Sequence, residues 1–391
     1  MAIAARRMQE RAPKSKLPPR ERFWRFVRWF FGFKPVPIPR EIPNLTVTVV
    51  VPAYNEEASI ANTLRSILEQ THPVESIIVV DDHSKDRTSE VAQKIAQTYP
   101  QIRVVRTHVN QGSKAMAQNY VLNNITTDLF VTIDGDTTLD PDAVEHTLPF
   151  FHNPNTLIVC GFVIPQRVKT FWERARFMEY LYGLSTIKPA QDHWGAVMVA
   201  SGCFSTFRTR QIVEEFGGFK HRTIVEDMDL TWEVIEAGYD VYFATKAICR
   251  PMEPATFKVT FDQLERWYRG FFQNIMIRGN LFRHSKKIAV AAYGYMLWSF
   301  FGAFVIPISA WSFTQNIWWT LAIMVGVGLI FAGLPSFIRA YKLRMLWTAI
   351  TSFPAFMCIP YVNLMIYVYA AWKEVILREK LTEWKKGHTD L

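Results

Sequence analysis

Four polar groupings along this 391-residue chain could do chemistry together: Asp81-Asp82, Asp134-Gly135-Asp136, Glu226-Asp227 and Gln263-Leu264-Glu265-Arg266-Trp267. Carboxylates hold hard cations and accept protons, an arginine forks onto phosphate oxygens, and a tryptophan offers a sugar ring a flat apolar face. Asp134 and Asp136 flank a glycine that lets the backbone turn, so both can converge on one divalent cation. Oxygen ligands favour Mg²⁺ or Mn²⁺, which would neutralise a departing diphosphate. The plain alternative is an Asp-Gly tight turn. Glu226-Asp227 opens a helix ending near Gly238. Acidic residues there can simply cap the helix and complement its dipole. The sharper reading makes Asp227 the general base for an acceptor hydroxyl, with Glu226 or Asp229 as the cap. Gln263, Arg266 and Trp267 fall at i, i+3 and i+4, one helix face. Phosphate and sugar binding suits that face, and so does lying on a bilayer, given Arg269, Phe271 and Phe272 nearby.

Short β-branched runs at Leu45–Val51, Ile77–Val80, Ile102–Val105 and Leu129–Ile133 alternate with helical patterns at Ser59–Gln70, Ser89–Thr98 and Lys114–Asn124. That alternation predicts an open α/β sheet with parallel pairing, and ligands collect beyond the carboxyl ends of such strands. Asp81-Asp82 and Asp134-Gly135-Asp136 follow their strands directly. The turn Pro52-Ala53-Tyr54-Asn55-Glu56 ends the first strand, where it can present backbone groups to a nucleobase. Taken singly, that turn and the Asp81–Asp86 cluster suit ordinary loops equally well.

Three runs from Ile288 to about Phe313, Ile317 to about Phe337 and Leu346 to about Trp372 contain no Lys, Arg, Asp or Glu. Each meets the length of about 20 residues that crosses a bilayer as a helix. The net charge of +9 could point to nucleic acid, but its placement points to lipid. Arg278, Arg283, Lys286 and Lys287 precede the first run, and Arg339, Lys342 and Arg344 separate the second from the third. The positive-inside tendency then sets the preceding domain in the cytoplasm and the chain in the plasma membrane. Three full crossings would leave a basic tail outside, whereas a segment broken at Pro354 and Pro360 returns it. Four cysteines without metal-like spacing fit a reducing compartment, and no signal peptide is evident.

With these residues in order, the chain resembles the membrane-embedded family-2 inverting glycosyltransferases, the group of cellulose, chitin, hyaluronan and poly-N-acetylglucosamine synthases. The resemblance implies a GT-A (Rossmann-like) domain that uses a UDP-sugar, followed by C-terminal transmembrane helices. Along the sequence this divides the chain into a basic leader with an interfacial helix over 1–42, a catalytic domain over 43–260, interfacial helices over 261–287, about three membrane helices over 288–372 and a tail over 373–391. Donor contacts would come from Pro52, Ala53, Tyr54, Glu56, Asp82, Lys114, Asp134 and Arg266. Asp134 and Asp136 match the metal-binding motif, Asp136 more surely, and Asp227 matches the catalytic base. Gly202 and Cys203 match the loop beside the acceptor sugar, together with Glu226, Gln263 and Trp267. Val225 stands where threonine is common, and Leu264 where glutamine or arginine is common. Expected partners are the UDP-sugar, a growing polysaccharide or a glycolipid acceptor, and the bilayer. A second copy of the chain, or the leader, could complete a polymer channel. Single-sugar transfer to a lipid, and a silent membrane scaffold, remain alternatives.

Overall fold

A computed structural model describes residues 41–300 and 304–381. Nearly all of the leader expected over 1–42, and the end of the tail from 382, lie outside the described residues. The first half follows the β-branched runs: β1 (Val47–Ala53), β2 (Ser76–Asp81), β3 (Ile102–Arg106) and β4 (Leu129–Ile133). They alternate with α1 (Ile60–Leu68), α2 (Thr88–Ala96) and α3 (Lys114–Leu122). Strands β3, β2, β1 and β4 pair in parallel in that order, and every residue of β1 is buried, as a central strand covered on both faces requires.

The sheet then departs from the purely parallel expectation. β5 (Thr138–Leu139), β6 (Thr156–Val163), β7 (Phe204–Arg208) and β8 (Asp240–Arg250) complete eight strands in the order β3-β2-β1-β4-β7-β6-β8-β5. β7 runs antiparallel to both β4 and β6, and β5 runs antiparallel to β8. Between them lie α4 (Phe171–Tyr182), α5 (Lys188–Trp194), α6 (Thr209–Glu214) and α7 (Glu226–Glu236). Pairing of β1 with β4 ends at Val50 and Thr132, whereas pairing of β1 with β2 continues to Ala53 and Asp81. The two central strands therefore part at their carboxyl ends, and Pro52, which cannot donate to a ladder, stands where β1 no longer pairs with β4.

After β8 comes α8 (Phe257–Arg278), a 22-residue helix that carries Gln263, Arg266 and Trp267. Its next elements are α9 (Leu281–His284), α10 (Lys286–Phe300) and α11 (Ile306–Thr314). Of the three runs expected to span, α12 (Ile317–Lys342) is the one helix among the described residues that is long and apolar enough by itself. The third run instead forms α13 (Leu346–Phe356) and α14 (Ile359–Ile376), bent by 52° at the break. Pro354 offers no N–H to the turn before it, and Pro360 sits at the start of α14, where a missing donor costs little. Residues 301–303 of the first run lie outside the described residues.

Both ends of the bent pair are held by the sheet domain and its helices. Arg174 on α4 donates to Thr351 Oγ1 at 2.9 Å, and Arg269 on α8 pairs with Glu374 at 3.0 Å. Gln273 donates to the Leu381 carbonyl at 3.0 Å. The end of the bent pair and the residues after it thus pack against α8, the helix that precedes the apolar runs.

Candidate active site

The residues singled out from the sequence, scattered over more than two hundred positions, line a single cavity of about 1060 Å³ beyond the carboxyl ends of β1, β2 and β4. Pro52, Ala53, Tyr54, Glu56 and Asp82 form one end. Asp82 takes its backbone position by donating to the Ala53 carbonyl at 2.8 Å, and its Oδ1 accepts from Gln111 N at 2.9 Å and Thr107 Oγ1 at 3.0 Å. Burial raises its pKa against those bonds. Asp81 points the other way, fully buried, with Arg106 3.3 Å from one oxygen and Ser84 N donating to the other. Of the Asp81-Asp82 pair only Asp82 reaches the cavity. Gly135 is required for close approach: an added Cβ would stand 2.8 Å from Glu56 Cγ and 3.4 Å from the Pro52 carbonyl oxygen.

At the centre, Lys114 opens α3, pairs with Asp134 and donates to the Gly202 carbonyl at 2.8 Å. Burial opposes its charge, but Asp134, Glu226 and Asp227 outweigh burial and hold the ammonium well above its usual pKa. The same Gly202 donates its N–H to Asp227 Oδ2 at 2.8 Å, and Met228 N donates to Oδ1 at 2.8 Å. Asp227 is thus oriented through both oxygens at the start of α7. Glu226 is not the helix cap; Val225 occupies that position and no side chain caps the helix. Asp229 does not cap either, being fully buried between Arg222 at 2.7 Å and Arg278 at 2.8 Å. Glu226 lines the cavity, where burial and the neighbouring Asp227 push its carboxyl up to about 7 against the pull of Lys114 and Arg266.

Ionisation of Glu226 therefore works against the fold. A folded-state pKa above the ordinary value means that the native state binds the extra proton, so stability falls as pH rises between the two values. In the donor-free protein with EDTA, the apparent Tm should decline between about pH 4.5 and about pH 7, and Glu226→Gln should flatten that slope. A Tm profile identical in the two proteins would show that Glu226 is not the titrating group.

Gln263, Arg266 and Trp267 project from α8 into the opposite wall. Burial pulls the Arg266 pKa down while Glu226, Asp227 and Asp134 push it back, which places all four around one space. Gln263 Oε1 is buried without a hydrogen-bond partner, an acceptor that wants a donor from a ligand. Leu264 is 2% exposed and packs with Trp232, Tyr268 and Phe271, so its replacement of a polar residue does not alter the cavity. Val225 is equally explained: a Cβ at Gly270 would stand 2.4 Å from its Cγ2, so this contact locks α8 against the start of α7. Cys203 also lines the cavity, 3.8 Å by sulfur from Cys249.

Sequence reading missed Arg176, Glu179, Tyr180 and Glu253, of which the last three line the same cavity. Spacing of i, i+3 and i+4 on one helix was the available signal. The far end is apolar and belongs to the C-terminal helices, with Met324, Val327, Phe331, Met357 and Leu364 on its wall. No group of three or more His, Cys, Asp or Glu converges among the described residues. Asp134 and Asp136 both line the cavity, and Asp134 is ion-paired with Lys114.

The eight-stranded sheet thus carries, beyond the carboxyl ends of its parallel strands, a cavity lined by carboxylates with a Gln/Arg/Trp helix face in its opposite wall. Residues 43–270 match the family described as Glycosyltransferase like family 2, and the chain belongs to that family. It is 30% identical over 245 residues to a hyaluronan synthase of Streptococcus pyogenes, covering 59% of this chain and 58% of that one. A poly-β-1,6-N-acetyl-D-glucosamine synthase of Staphylococcus epidermidis is 26% identical over 225 residues, 57% of this chain and 54% of the relative. The chain thus spans little more than half the length of these polysaccharide synthases, to which it is related. The probable glycosyltransferase YdaM of Bacillus subtilis (strain 168) is 28% identical over 73% of this chain and 70% of its own. Among solved structures, the mannosyltransferase PcManGT from Pyrobaculum calidifontis, in complex with GDP-Man and Mn²⁺, superposes with a TM-score of 0.57 at 20% identity, covering 91% of this chain and 95% of that one. The shared fold is GT-A.

Proposed function

We propose that this enzyme is an inverting glycosyltransferase of the plasma membrane, catalytic domain cytoplasmic, that moves a sugar from a UDP-sugar to the growing end of a β-linked polysaccharide. The observation that carries the reading is Asp227, fixed through both carboxylate oxygens and facing a space shared with Lys114, Asp134, Glu226 and Arg266. Asp82 and the Pro52–Glu56 turn take the uracil and ribose. Lys114 and Arg266 take the diphosphate. Asp136, with Asp134, holds Mg²⁺ or Mn²⁺, which would supply Lewis-acid help to the leaving group. A neighbour of the same fold bound to a nucleotide-sugar and Mn²⁺ supports that assignment.

On the acceptor side, Trp267 stacks on the sugar ring and Gln263 Oε1 accepts from one of its hydroxyls. Asp227 removes the proton from the attacking hydroxyl, and the Gly202-Cys203 loop borders the ring beside Glu226. No second carboxylate acts as nucleophile, so an α-linked donor gives a β-linked product in one displacement. Relatedness to hyaluronan and poly-N-acetylglucosamine synthases supports a polymer product.

A second reading, one sugar placed on a lipid acceptor, is favoured by the apolar wall formed by Met324, Val327, Phe331, Met357 and Leu364. The protein in nanodiscs, given UDP-glucose, UDP-N-acetylglucosamine, UDP-glucuronate or UDP-galactose with GDP-mannose as control, decides between them. A ladder of product lengths with UDP release is expected. A single chloroform-soluble product would replace the polymer reading with the lipid one, and turnover of GDP-mannose alone would overturn the donor.

A further inference from the structure

Arg176 on α4 is 2% exposed and lies beneath the wall of the cavity. Its guanidinium carbon stands 4.9 Å from the Trp267 ring centroid and 4.7 Å from that of Tyr180. Three groups hold the guanidinium: Glu179 by an ion pair, Glu253 Oε2 at 3.4 Å, and Tyr180 Oη, which accepts at 2.8 Å. Tyr180 in turn donates to Glu253 Oε1 at 2.9 Å, and Asn363 on α14 donates to Glu179 Oε1 at 2.7 Å. A planar guanidinium fixed from three directions has a fixed plane, and the indole against which it lies is fixed with it.

Burying an arginine with two glutamates is an expensive way to join helices, since well-packed apolar side chains hold them as well or better. What the ionic set adds is orientation at one place, the aromatic ring that enters the cavity. We propose that Arg176 is a positioning residue for the acceptor: held by Glu179, Tyr180 and Glu253, it sets the plane of Trp267, and through Glu179 and Asn363 it ties that plane to the bent apolar pair. The inference rests on the reading of Trp267 as the acceptor platform. It extends the site beyond the Gln/Arg/Trp face to a support that reaches the membrane-lying helices.

Misorienting the platform leaves the donor bound but lets water intercept the activated sugar. The informative quantity is therefore labelled sugar transferred per UDP released, a ratio that unfolded molecules do not change. Full-length protein in native membrane vesicles, with the radiolabelled UDP-sugar that gives the highest UDP release, supplies it. Arg176→Gln should lower the ratio about tenfold and change the Kd for UDP less than about twofold. In a Trp267→Ala background the same substitution should have no further effect, because the two act as one unit. Asn363→Leu, which leaves the arginine in place, should lower the ratio about threefold, and keeps the test available if Arg176→Gln does not fold. An unchanged ratio in both single variants, or losses that multiply in the Trp267→Ala background, would overturn the proposal. Losses shared by Glu179→Gln but absent from Arg176→Gln would do the same and assign acceptor binding to that carboxylate itself. Wild-type protein that releases no UDP from any UDP-sugar would instead sink the donor assignment.

Discussion

Asp227→Asn is expected to lower kcat by about 10³-fold while changing the affinity for UDP by less than about threefold, because removing a general base takes away an interaction made only in the transition state. The carboxylate accepts from Gly202 N at one oxygen and Met228 N at the other, each at 2.8 Å. An asparagine can keep only one of these, since its amide nitrogen would face a second donor. The side chain therefore loses its basicity and half of its orientation together. Lys114 and Arg266, the proposed diphosphate partners, are untouched, so binding is expected to survive. Isothermal titration with UDP and single-turnover transfer measure the two effects separately. Turnover within about tenfold of wild type would remove Asp227 from the base role.

The next largest effect is expected from Gly202→Ala, a change of one methyl group. A Cβ there would stand 2.9 Å from Lys114 Nζ and 3.1 Å from Asp227 Oδ2, inside normal contact for both. A lysine end usually moves aside at little cost. Here it is engaged by Asp134 and by the carbonyl of Gly202 itself, and Asp227 cannot retreat without stretching its bond to the Gly202 N–H. Displacement by a fraction of an ångström reaches Asp227 and Lys114 at once. A misplacement near 1 Å can cost about 10²-fold, so kcat/KM should fall by about that factor while the apparent Tm stays within a few degrees. Activity close to wild type would show that the loop yields and that the Lys114–Gly202–Asp227 alignment is not required.

Much of this was written in the sequence because of where the residues fall. Strands β1 to β4 are short β-branched runs bounded by polar turns, and the reactive groups sit immediately after them, so periodicity placed Asp82, Asp134 and Asp136 at the strand ends. The antiparallel half was not legible. Phe204–Arg208 enters the sheet between β4 and β6 by long-range pairing, and nothing within those five residues specifies such partners. Asp229 shows the same limit: three carboxylates in four residues offer a cap, and only tertiary packing reveals that two arginines bury one of them. Arg176 and Glu179 read as the ordinary charged face of an amphipathic helix until Glu253 and Trp267 close over them. The prolines of the third apolar run did mark its break. They could not show that Glu374 and Leu381 are fastened to α8.

Transfer in one displacement at Asp227 is tested most directly by the configuration of the new glycosidic bond. Wild-type protein in nanodiscs, supplied with an α-linked UDP-sugar enriched in ¹³C at the anomeric carbon, makes a product whose anomeric proton can be assigned by NMR. A β-linked product, formed by wild type and lost in Asp227→Asn, is the predicted result. An α-linked product would contradict single displacement and require a nucleophilic carboxylate that the cavity was not assigned.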